Sequence, residues 1–120
     1  MSSCFSKQNN RTIKVGHISM SLLKILKTRK VKTPERSGRN AGIDFFVPEE
    51  FNEGEGLSLA SGEHVLIKSG IRVSLPKGYC MVAFNKSGVS TKHGLQVGAC
   101  VVDESYTGEI HLHLFNYRNI

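Results

Sequence analysis

Ile71-Arg72-Val73-Ser74-Leu75-Pro76-Lys77-Gly78-Tyr79-Cys80-Met81-Val82-Ala83-Phe84 decides the fold class. Ile71, Val73 and Leu75 alternate with Arg72 and Ser74, the period-two pattern of a strand that buries one face. Pro76-Lys77-Gly78 supplies the fixed φ of proline and the freedom of glycine, a turn signature, and the apolar run Tyr79 to Phe84 follows as a second strand. The same punctuation extends outward. His64 to Ser69 alternates weakly and ends at Gly70, and Ile43 to Val47 is apolar around Asp44 and ends at Pro48. A Glu-rich loop covers residues 49–56, and further strands are expected from Gln96 to Val102 and Ile110 to Tyr117. Ser87 to His93 has room for one helical turn. Turn signals every eight to twelve residues, without a long helix after residue 40, predict an all-β antiparallel barrel or sandwich.

At 120 residues the chain makes one domain, large enough to build a core without disulfide staples. No apolar run is long enough to span a bilayer, and the polar start lacks a signal-peptide core, so no membrane partner is expected. Cys4, Cys80 and Cys100 share no metal-ligand spacing, and the last two sit in apolar strand patterns as small core residues. A reducing, cytoplasmic compartment follows, or the host cytoplasm or nucleus were the source viral. Residues 1–40 carry ten Lys or Arg against Glu35 alone, whereas residues 41–120 carry six basic and nine acidic side chains. Residues 1–19 therefore read as a basic, disordered extension before a single domain over 20–120, with Met20 a possible domain start. That arm has no interleaved aromatics to stack on bases, so a solvated segment is preferred over a nucleic-acid contact.

Three segments carry chemistry. In Ala41-Gly42-Ile43-Asp44, small residues permit close backbone approach, and an acid interrupts an apolar alternation; the plain alternative is an Asp bonding its own turn. Asn85-Lys86-Ser87-Gly88-Val89 offers a cation, a hydroxyl and open backbone amides after a strand, a workable phosphate cradle or an ordinary polar turn. Gly98-Ala99-Cys100-Val101-Val102-Asp103-Glu104-Ser105-Tyr106-Thr107-Gly108 reads as a β-hairpin whose apolar strand ends in an acid, with an aromatic three residues on. Asp103 is the candidate general base, and Tyr106 is a pocket wall or a core tyrosine with its hydroxyl paired.

Taken in order, these segments resemble the trimeric, all-β dUTP diphosphatase (dUTPase) family. Ala41 to Asp44 is similar to its first motif, Lys86-Ser87-Gly88 with Thr91 to Gly94 to its second, and Gly98 to Glu109 to its third. Pro76-Lys77-Gly78-Tyr79 matches the turn before the second motif, and the likeness covers roughly residues 22–117. The Ser-Ser-x-x-x-Arg signature of the related dCTP deaminases is absent around Ser87. The resemblance implies a distorted, jelly-roll-like antiparallel barrel, a homotrimer with sites at subunit boundaries, and hydrolysis of dUTP to dUMP and pyrophosphate. It implies that Asp103 activates the water attacking the α-phosphorus. Asp44 would reach Mg²⁺ through a water, and Lys86, Ser87 and Gly88 would hold phosphates, Ser87 in a neighbour's pocket. Tyr106 would pack on the deoxyribose, while backbone from Gly98 through Cys100 to Gly108 reads uracil.

The chain departs from the family pattern in places. Lys86 stands where many members carry Arg, which loses the bidentate fork. Cys100 stands at a frequent Gly, so its side chain is expected to turn toward the core, and Ser105 replaces a common Asp. The family's fourth motif and its Gly-rich, Phe-containing closing arm would follow Tyr117 and are not found before Ile120, so the expectation is an incomplete barrel and weak or absent turnover. The alternative is a dUTP-binding protein that keeps the pocket without catalysis. A metal site on His111-x-His113 is a further reading, set below simple alternation with Leu112 and Leu114.

Overall fold

A computed structural model describes residues 2–7, 23–52, 56–99 and 101–118. Within these residues nine strands run as β1 (Ser2–Lys7), β2 (Lys24–Lys27), β3 (Ile43–Asp44), β4 (His64–Lys68), β5 (Ile71–Ser74), β6 (Tyr79–Phe84), β7 (Leu95–Val97), β8 (Val101–Val102) and β9 (His111–Asn116). Among the described residues, one helix, α1 (Ser87–His93), and a 3-10 turn at Glu49–Phe51 complete the order. Every strand pairing is antiparallel, in three sheets ordered β3-β1-β6-β8, β2-β5 and β4-β9-β7. The all-β antiparallel architecture is as the turn rhythm predicts, and its jelly-roll-like form is as the family resemblance implies. The sheets do not close into one continuous barrel ladder among the described residues.

The three sheets share one core. Ile71 of β5, Met81 of β6 and Leu112 of β9 are 1%, 2% and 2% exposed, one from each sheet. Ile43, Phe45, Ile67 and Ile110 join them in a single cluster. Complete burial of one such side chain contributes about 1.5–3 kcal/mol, so these contacts, more than the short ladders, hold the sheets together. β5 shows the alternation read from sequence: Ile71 and Val73 buried, Arg72 and Ser74 exposed.

Four expectations are corrected. The single strand over Gln96–Val102 divides into β7 and β8 at the Gly98–Ala99 bend, and the two halves join different sheets. Ile43 to Val47 keeps only two strand residues, since Pro48 and the 3-10 turn take the chain away. The hairpin at Gly98–Gly108 reverses direction, with Tyr106 N donating to Asp103 O at 3.0 Å, but forms no ladder of its own. β8 pairs with β6 (Met81↔Val102, Val82↔Val101), and β9 crosses to pair with β4 and β7. Finally, Ser2–Lys7, read as part of a disordered extension, forms β1 between β3 and β6, satisfying backbone groups that β6 would otherwise leave unpaired. The remainder of that extension lies outside the described residues. No helix among the described residues is long and apolar enough to cross a membrane.

Candidate active site

The first two motifs meet in space. β3 ends in Asp44, whose backbone is held by reciprocal bonds with Glu35 (3.2 and 2.8 Å) and by pairing with β1. β6 ends at Phe84, and Asn85-Lys86 leads into α1. Asn85 Oδ1 accepts the Val97 amide at 2.7 Å, which ties this connection to β7. Lys86 Nζ then lies 3.0 Å from Asp44 Oδ2. Ser37, Asn40, Ala41, Gly42, Asp44, Asn85, Lys86 and Ser87 line an open cleft of about 430 Å³. Gly88 is exposed in the first turn of α1. A carboxylate, an ammonium, hydroxyls and amides in one polar cleft suit a phosphate chain with a hydrated cation. Mg²⁺ keeps several waters and uses one or two carboxylates plus phosphate oxygens, so Asp44 fits that role. No cluster of three or more metal-ligating side chains occurs among the described residues.

The third motif lies elsewhere. Val102 pairs with Met81, which puts Asp103, itself exposed, beside the Tyr79 end of β6. Its turn is fixed from several sides. Glu104 Oε2 accepts the Gly78 amide at 3.0 Å, Arg72 Nε donates to Thr107 O at 2.7 Å, and Tyr106 OH donates to Glu109 O at 2.7 Å. Tyr106 is 43% exposed, so it is not a core residue. Gly98 is exposed under the His113 ring, Gly108 is half-buried, and Cys100 lies outside the described residues. Lys86 is five residues beyond Met81 along an extended chain, about 17 Å at 3.3–3.4 Å per residue. Asp103 and the Lys86–Asp44 cleft therefore stand at opposite ends of β6.

The dUTPase family model matches residues 29–120. The chain belongs to the dUTPase family. Among dUTPase relatives, the deoxyuridine 5'-triphosphate nucleotidohydrolase of Kluyveromyces lactis is 34% identical over 103 residues, spanning 85% of this chain and 66% of that protein. The Rattus norvegicus protein of the same name is 33% identical over 81 residues, 68% of this chain and 37% of that one. The chain thus spans between about a third and two thirds of these dUTPases. A point mutant of the dUTPase from phage phi11 of S. aureus, described with a structural Mg(II) ion, superposes with TM-score 0.67 at 27% identity, covering 79% of this chain and 60% of that one. A Staphylococcus bacteriophage 80alpha dUTPase mutant solved with dUpNHpp gives TM-score 0.69 at 27% identity, over 81% and 55%.

Two clusters escaped the dUTPase motif reading. Glu109 closes the third motif, and its carboxylate accepts from Arg29, Thr28 and the Gly70 amide. The Arg29 guanidinium holds the Glu109 carboxyl below the usual range against the opposing effect of burial, and Glu109 in turn raises Arg29. These partners stand 80 residues apart, so no local pattern announced them. His113 accepts the Ala99 amide at Nδ1 (2.7 Å), and its Nε2 lies 3.0 Å from His64 Nδ1. The Ala99 bond leaves the neutral His113 proton on Nε2, facing His64. His111 instead bonds Glu109 O at 3.0 Å, so the two histidines of β9 have different partners.

Proposed function

We propose that the chain binds dUTP and, with Mg²⁺, hydrolyses it to dUMP and pyrophosphate at sites shared between subunits of a homotrimer. The observation that carries this reading is the placement of Asp103 and the Asp44–Lys86 cleft at opposite ends of β6: base and phosphate cradle face one nucleotide only when a neighbouring copy supplies one of them. Lys86, Ser87 and the Gly88 amide bind the phosphates, and the lysine neutralises charge that grows on the leaving pyrophosphate. Asp103 accepts a proton from the water it orients toward the α-phosphorus. Tyr106 stands against the deoxyribose and leaves no space for a 2'-hydroxyl. Backbone from Gly98 through Cys100 to Gly108 reads the uracil edge. Asp44 would hold Mg²⁺ through a water, and the cation would supply charge neutralisation at the triphosphate. A reducing, cytoplasmic-type compartment accords with cysteine kept as a core residue, as buried Cys80 is.

Equilibrium titration of the chain with dUTP, UTP and dTTP in Mg²⁺ tests this. Preference for dUTP over both, by tenfold or more, supports the reading. Equal affinity for the three contradicts it.

A further inference from the structure

We propose that Arg29 is a positioning residue for Tyr106, and through that ring sets discrimination between deoxyribo- and ribonucleotides. The proposal rests on Tyr106 being the sugar wall. Arg29 grips Glu109 with two nitrogens, Nε on Oε2 at 2.9 Å and Nη2 on Oε1 at 3.3 Å, the fork geometry that fixes orientation as well as charge. Thr28 Oγ1 and the Gly70 amide donate to the same Oε2 at 2.9 and 3.0 Å. Arg29 is steadied by Glu50 at 2.7 Å. The fork side chains are 27% and 17% exposed, so water competes for them only in part. Gly70 has φ +74°, and a Cβ there would stand 3.0 Å from Arg29 Cβ; the clamp closes because this residue has none.

Glu109 carries the effect to the pocket. Its carboxylate is held by the clamp while its carbonyl accepts the Tyr106 hydroxyl at 2.7 Å. At 43% exposure the ring is not locked by packing, so the hydroxyl is its fixed end. The ring folds back over Gly108, where a Cβ would come within 2.8 Å of the hydroxyl oxygen. Loosening Arg29 frees the acceptor, and the acceptor sets the ring angle. A half-buried guanidinium in the chain before β3 thereby governs what the 2' position meets.

The experiment measures the ratio of dUTP to UTP affinity in the full chain with Mg²⁺, beside thermal unfolding. Arg29→Met is expected to lower the ratio about fivefold, the size of one hydrogen bond's net effect, mainly by admitting UTP, and Arg29→Lys about twofold. Tyr106→Phe is expected to match Arg29→Met, and the double variant to add little to either. Equal weakening of both nucleotides by Arg29→Met, with Tyr106→Ala collapsing the ratio, overturns this proposal alone. An unchanged ratio in Tyr106→Ala overturns the sugar-wall reading and this proposal with it. Should Arg29→Met fail to fold, an unchanged ratio in Arg29→Lys overturns the proposal.

Discussion

Lys86 Nζ lies 3.0 Å from Asp44 Oδ2, so the end of β3 and the entry to α1 face one another as an ion pair at the mouth of a polar cleft. With side chains 48% and 22% exposed, the pair belongs to the class that adds little to stability. The proposed site gives each partner a further use: phosphate oxygens for the ammonium, a hydrated cation for the carboxylate. Lys86→Met is therefore expected to lower dUTP affinity about tenfold while changing unfolding free energy by less than about 1 kcal/mol. Asp44→Asn is expected to raise the Mg²⁺ concentration needed for tight dUTP binding. Calorimetric titration with and without Mg²⁺ checks both.

The separation of Asp103 from Lys86 along β6 makes a second prediction. Asp103→Asn and Lys86→Met chains, each defective alone, are expected to regain activity when unfolded and refolded together, since mixed trimers contain sites with both wild-type groups. Activity equal to the average of the two separate preparations counts against shared sites. Sedimentation of the same samples reports whether trimers formed.

Glu109 gives a pH prediction. Its folded-state carboxyl titrates below the ordinary 4.5 because Arg29 donates to the charged form. The unfolded chain therefore takes up the proton first on acidification. The stabilisation is complete above the unfolded value and is lost as pH falls through the folded one. The difference in unfolding free energy between wild type and Glu109→Gln should hold steady from pH 7 to about 5 and shrink below about 4.5. A difference that grows in acid contradicts the assignment.

The shared core predicts where the fold is most fragile. Leu112→Ala, at a side chain 2% exposed where the three sheets meet, is expected to cost about 2–5 kcal/mol. Leu26→Ala, at a side chain 57% exposed on β2, is expected to stay within about 0.5 kcal/mol. Urea unfolding separates the two.

Much of this was legible in sequence where the signal is local. Ile71 to Ser74 shows its buried face by alternation alone, and Tyr79–Phe84 forms the strand that its composition predicts. Asp44, Lys86 and Ser87, named from separate segments, line one cleft. What sequence missed was choice of partner. Val101-Val102 has the composition of a hairpin arm, yet its ladder runs to Met81 and Val82, because two residues are too few to compete with the central strand. Ser2–Lys7 looks polar enough to be disordered, but an unpaired strand edge is satisfied by backbone groups whatever the composition. Arg29 and Glu109 are unremarkable charges until folding joins them, and the His64–His113 pair likewise spans two strands.

Pyrophosphate release from dUTP by the 120-residue chain in Mg²⁺, with UTP and dTTP in parallel, is the decisive measurement of dUTP hydrolysis. Release is expected from dUTP alone and is expected to vanish in Asp103→Asn, with dUTP binding retained in that variant. Release that persists in Asp103→Asn, or that proceeds equally from UTP, would contradict the proposed function.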